Sequence, residues 1–90
     1  MRFDWDEGKA AANRAKHGVS FNEAATVLGD SLGWTYPDQE HSESEQRWMT
    51  IGASEAGRVL VVAHSDEGEG TIRIISARRA TRKERRFYEG

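Results

Sequence analysis

Apolar positions in this chain follow two different periods. Between Glu7 and His17 the small residues Ala10, Ala11, Ala12 and Ala15 favour a helix, and from Phe21 to Leu28 the residues Phe21, Ala24, Ala25, Val27 and Leu28 make one stripe at helical spacing. Two helices are therefore predicted. Asp6 is the N-cap of the first, because its carboxylate accepts backbone N–H groups that the first turn leaves unpaired. Gly18 ends it, with Lys16 and His17 in the last turn where positive charge complements the carbonyl end of the helix dipole. The second helix opens on Ser20-x-x-Glu23, a capping-box pattern, with Val19 placed to pack on Ala24, and Gly29 closes it.

Beyond Asp30 the period shortens to two. Trp34-Thr35-Tyr36 predicts a short strand stopped by Pro37-Asp38, and the polar stretch Asp38 to Glu45 predicts an exposed loop. Arg47 to Ala53 alternates, with Trp48 and Thr50 on one face and Met49 and Ile51 on the other. Ser54 to Gly57 reads as a hairpin loop. The unbroken run Val59 to Ala63 predicts a central strand covered on both faces, Asp66 to Gly70 a turn, and Thr71 to Ala77 the last strand. On that last strand Ile72, Ile74 and Ser76 should point one way and Arg73, Ile75 and Ala77 the other. Thr81-x-x-Glu84 is a second capping box, opening a C-terminal helix.

The predicted architecture is one α+β domain spanning residues 1–90. It has a short strand at Phe3, two N-terminal helices, an antiparallel sheet of about four strands and a C-terminal helix, with the helices on one sheet face and the other partly open. A chain of 90 residues buries roughly 60% of its unfolded surface, which places any chemistry in a surface groove rather than a deep cavity. The absence of cysteine excludes disulfides, thiolate metal sites and a thiol nucleophile. No apolar leader segment or membrane-length run is present, so a cytoplasmic protein with no membrane partner is expected.

Net charge is −2, but the average conceals an asymmetry. Residues 71–90 carry a local +5 from Arg73, Arg78, Arg79, Arg82, Lys83, Arg85 and Arg86 against two acids, while residues 1–70 carry −7. One basic surface facing phosphate or an acidic protein accounts for this pattern; so does a solvated Arg-rich terminal helix. No Walker or Rossmann glycine loop and no Gly-x-Ser-x-Gly elbow is present. His41 with Glu40, Glu43 and Glu45 lacks the spacing of a zinc helix or calcium loop, so neither metal nor cofactor is expected.

Four strings together are more specific: Phe3-x-Trp5-Asp6-x-x-Lys9, Asn13-x-x-Lys16-His17-Gly18-Val19-Ser20-Phe21, Ile72 to Arg78, and Ala80-x-x-x-Glu84-x-x-x-Tyr88. They resemble the BrnT family, the ribonuclease components of a type II toxin–antitoxin system, over residues 3–88. The resemblance implies a fold similar to RelE-type mRNA interferases and a BrnA-like antitoxin with a DNA-binding domain. It also implies a toxin–antitoxin complex, expected as a heterotetramer, that reaches operator DNA only through the antitoxin.

Metal-free RNA cleavage requires a base for the ribose 2′-OH, positive charge at the phosphorane and an acid for the leaving 5′-oxygen. Arginine suits the second task, since its planar fork meets two phosphate oxygens and stays ionised. Arg73, Arg78 and Arg79 are the candidates, with Arg85 and Tyr88 as further substrate contacts. Glu84 or Lys16 is the candidate base and His17 the candidate acid, imidazole being the side chain that titrates nearest neutrality. Each has a plainer reading: Glu84 as the partner of Thr81 in the capping box, Lys16 and His17 as dipole complements, and His64, a further choice for proton transfer, as a packing or sheet-edge residue. Trp5, Trp34 and Trp48 read as core residues in preference to base-stacking ones. A non-catalytic nucleic-acid-binding or co-repressor subunit, or a protein-interaction subunit, is the rival to the nuclease.

Overall fold

The computed structural model describes residues 1–40 and 46–90. Its elements are β1 (Arg2–Asp4), α1 (Glu7–His17), α2 (Phe21–Val27), β2 (Trp34–Pro37), β3 (Arg47–Ala53), β4 (Val59–Gly68), β5 (Thr71–Arg79) and α3 (Arg82–Glu89). The strands form one sheet in the order β1-β5-β4-β3-β2. Strands β2 to β5 are the expected antiparallel meander, but β1 joins it in parallel with β5, pairing Phe3 with Ile72 and Asp4 with Arg73. The sheet is thus mixed and five-stranded rather than antiparallel and about four-stranded. The meander leaves one edge of β5 unpaired, and a three-residue strand satisfies it. So short a strand shows no periodicity of its own.

Local chemistry sets the helix ends. Asp6 accepts the Lys9 N–H, and Gly18 takes the left-handed conformation at φ 68° while its N–H returns to the Arg14 carbonyl. At Thr81 both halves of the capping box form. At Ser20 only half does: its hydroxyl accepts the Glu23 N–H, but the Glu23 carboxylate turns to Arg58 and Ser54 instead.

One core lies under α1 and α2. Val19, Phe21, Ala24 and Val27 pack on Leu60, Val62, Ile74 and Ala77, and Trp5 meets Phe21 edge-on at 6.0 Å. Each large side chain buried there contributes roughly 1.5–3 kcal/mol. Asn13 ties α1 to the sheet, donating to the carbonyls of Val19 and Ala77 and accepting the Ala77 N–H. The run Val59–Ala63 is the central strand, as predicted, with Leu60 to Ala63 all buried.

Two details of the β4–β5 hairpin differ from the pattern. The strands continue to Gly68 and Thr71, and a two-residue turn at Glu69-Gly70, both at positive φ, replaces the longer turn expected over 66–70. More important is a bulge. Ser76 pairs with Ala63 but Ile74 pairs with His64, so Ile75 is an extra residue. The predicted alternation holds through Ile74 and then reverses. Ala77 joins Ile74 in the core, while Ser76 and Arg78 face the other side.

That other side is not bare. Register places Trp34, Ile51, Val61 and Arg78 in one row across it, and α3 covers part of this row, with Phe87 5.7 Å from Trp34. Ile51 and Val61 are buried on this face. The helices therefore lie on both faces rather than one, because these two apolar side chains also require cover. Among the described residues no helix is long and apolar enough to cross a membrane.

Candidate active site

The end of β5 and the first turn of α3 place two groups face to face. Arg78 donates from Nη1 to Glu84 Oε1 at 2.7 Å and from Nη2 to Oε2 at 2.9 Å, a fork-to-fork pair spanning only six residues. Glu84 Oε1 also accepts the Thr81 N–H at 2.9 Å, so the capping and ion-pair roles coincide. Arg78 holds the Glu84 carboxyl down at about 2, with the Thr81 N–H assisting. Glu84 in turn pushes the Arg78 pKa up, so the pair is fully ionised. Burial, with the Glu84 charge beside it, raises the Tyr36 phenol and keeps it protonated.

Two grooves meet at this pair. One, of about 450 Å³, is lined by Tyr36, Pro37, Asp38, Met49 and Arg78 among others. The second, of about 420 Å³, runs between α3 and β2 and is lined by Trp34, Tyr36, Ile51, Lys83, Glu84 and Phe87.

The other predicted site residues disperse. Arg73 shares the Arg78 face but lies five residues back along β5, of the order of 15 Å away, and pairs with Asp4 at 2.9 Å. Arg79 points to the opposite face, where it lines a separate pocket with Arg58, Arg85 and Glu89. The three arginines expected to converge on one phosphate thus do not: the bulge at Ile75 turns Arg78 to one side, and alternation turns Arg79 to the other. Tyr88 donates its hydroxyl to Asp30 at 2.5 Å, and Asp30 also accepts the N–H groups of Leu32 and Ala53. That contact anchors the end of α3. Lys16 and His17 sit in the last turn of α1, on the helix-covered face, with the sheet between them and Arg78. His64 is a packing residue, as its plainer reading held: it is buried, and its Nε2 bonds Thr50, whose hydroxyl meets Thr35. The predicted loop over 38–45, with His41, Glu43 and Glu45, whose spacing argues against a metal site, lies outside the described residues apart from Asp38 to Glu40.

Tyr36, Trp34 and Phe87 were not expected at this site. Trp34 is 58% exposed rather than a core residue. The one signal in the chain is the Trp34-Thr35-Tyr36 alternation, which puts both aromatics on one face; nothing in it shows that β2 is a sheet edge.

A small domain built of three helices and one mixed five-stranded sheet is the fold of a ribonuclease toxin of a type II toxin–antitoxin system. The family model described as "ribonuclease toxin, BrnT, of type II toxin-antitoxin system" matches residues 5–84, and the chain belongs to this BrnT toxin family. Among solved structures it is similar to the ribonuclease toxin BrnT of Brucella abortus, determined at 1.1 Å, with 27% identity and a TM-score of 0.71. The match covers 91% of this chain and 99% of that one. No curated protein matches the chain. Family membership implies an RNA substrate and an antitoxin partner.

Proposed function

We propose that this protein is a metal-independent endoribonuclease of the cytoplasm that cuts RNA at the groove holding Arg78 and Glu84, on a variant of the RelE-type fold. The observation that carries this is the fork-to-fork Arg78–Glu84 pair in an open groove. A carboxylate and a phosphate present the same pair of oxygens to a guanidinium, so a scissile phosphate competes with Glu84 for Arg78. As the phosphate takes the fork, Glu84 loses the partner that depresses its pKa and becomes a better proton acceptor. The 2′-oxygen then attacks phosphorus and yields its proton to Glu84. Arg78 balances charge on the phosphorane, the P–O5′ bond breaks, and the departing 5′-oxygen takes a proton from water. The products are a 2′,3′-cyclic phosphate and a 5′-hydroxyl end. Because Lys16 and His17 lie across the sheet, the base role goes to Glu84, and Arg73 on the same face extends the cationic track for the backbone. Arg79, Arg85 and Tyr88 fall outside the reacting centre in this reading.

A cognate BrnA-like antitoxin inhibits the enzyme by covering this groove, in a heterotetramer that contacts operator DNA through the antitoxin alone. The test is cleavage of end-labelled RNA in EDTA by protein freed of its antitoxin. Cyclic-phosphate ends that disappear in Arg78→Ala and Glu84→Gln support the reading; salt-sensitive RNA binding with no cleavage by the wild type refutes it in favour of a non-catalytic binding subunit.

A further inference from the structure

Three aromatic side chains stand in water beside the Arg78–Glu84 pair. Trp34 is 58% exposed, Phe87 60% and Tyr36 42%, although a domain of this size has few large apolar residues to place outside its core. Trp34 and Tyr36 project from the same face of β2, an edge strand, and Phe87 reaches them from α3. The Trp34 and Phe87 rings meet at 57° rather than lying flat on each other, so a face of each remains available. Together with Ile51 they form a groove that is apolar along its walls and carries Lys83 at its rim.

We propose that this groove receives a nucleobase of the RNA substrate, stacked on Trp34 and Phe87, and so sets which nucleotide is presented to Arg78. The inference rests on the reading of Arg78 as the phosphate-binding group. Continuity makes the argument: Glu84 and Tyr36 line this groove, and Tyr36 also lines the adjoining groove where Arg78 lies, so a chain whose phosphate meets Arg78 carries its next base to the aromatics. Lys83 lines the same groove and supplies a cation for a neighbouring phosphate. Aromatic faces beside cations are the composition that single-stranded nucleic acid requires, since stacking holds the bases while charge holds the backbone.

The probe is a short RNA carrying 2′-O-methyl riboses, which cannot be cut, compared with the same backbone made abasic. Wild-type protein is expected to bind the base-containing strand about 10-fold or more tightly than the abasic one. Trp34→Ala and Phe87→Ala should each lose about that factor on the base-containing strand and cease to distinguish the two, whereas Trp34→Phe keeps the preference. Unchanged thermal melting of these surface variants shows that the fold is intact. If the Trp34→Ala, Phe87→Ala double variant retains affinity and discrimination while Arg78→Ala loses affinity, the base site is wrong and the phosphate site stands. If Arg78→Ala binds as tightly as wild type, the phosphate-site reading fails and this inference with it. If the double variant binds RNA normally but no longer holds the purified antitoxin, the groove is the antitoxin's surface and the proposal is overturned.

Discussion

Among the described residues, two arginine–glutamate clamps share the same chemistry and do different work. In the first, Arg58 donates from Nε and Nη2 to Glu23 and from Nη2 to the Gly18 carbonyl, while Glu23 accepts the Ser54 hydroxyl as well. It joins α2, the α1 terminus and the β3–β4 loop, residues 35 apart in the chain. In the second, Arg78 and Glu84 are six apart and hold β5 to α3, but their outer side opens on two grooves. What separates them is what else each group touches. Glu23 and Arg58 each take a further partner from the protein, the Ser54 hydroxyl and the Gly18 carbonyl, and Glu23 keeps only 17% exposure, so the pair serves the fold. The Arg78 side chain keeps 39% exposure and Glu84 28%, so a phosphate can reach them.

The comparison is broken most severely by Arg78→Ala. Loss of one positioned donor to a transition-state oxyanion costs about 3–4 kcal/mol, so RNA cleavage per folded molecule should fall by at least about 10²-fold, over and above the stability lost when Glu84 is released. An enzyme that cleaves normally without Arg78 would place the two clamps in one structural class. Glu23→Ala should do the opposite. It leaves a largely covered Arg58 without its carboxylate, and a stability loss of about 2–3 kcal/mol is expected in urea titration, with cleavage per folded molecule unchanged.

Acid sharpens the contrast next. Glu84 and Glu23 are both depressed below their ordinary 4.5, chiefly by their arginines. The unfolded chain therefore takes up protons first as pH falls, and stability present above pH 4.5 is lost on the way down towards the Glu84 value of about 2. Stability measured across this range should fall less steeply in Glu84→Gln than in wild type, by the part that Glu84 contributes. The smallest effect belongs to His64, whose pKa burial lowers below 6.5. Below pH 6.5 the unfolded state again binds more protons, so stability declines with acidification, and His64→Gln should remove that shallow step from the pH profile of thermal melting.

The fold was legible in part, and the reasons are local. Asp6, Gly18, Ser20 and Thr81 mark helix ends because a cap is a contact between neighbours in sequence, and the run from Leu60 to Ala63 marks the central strand because burial on both faces leaves no polar position. The first clamp shows how a local pattern misleads: Ser20-x-x-Glu23 has the letters of a full capping box, but Arg58, far off in the chain, competes for the Glu23 carboxylate and wins it. At the site, Arg78 and Glu84 were both singled out, one as a phosphate-binding cation and one as a candidate base, and the hairpin-like return of α3 onto β5 unites them. Arg79 and Lys16 were grouped with them by proximity in sequence or by chemistry, and the two faces of the sheet keep them apart.

Residue types, their spacing and their immediate neighbours determined the helices with their caps, the four-strand meander, the basic segment over 71–90 and the family resemblance. Tertiary structure alone decided that β1 closes the free edge of β5, that one extra residue at Ile75 aims Arg78 at the open groove, and that Trp34, Tyr36 and Phe87 gather beside it. The division follows from range. Caps and periods are set within one or two turns of chain, whereas a bulge, a sheet edge and a shared face exist only once strands distant in sequence have paired.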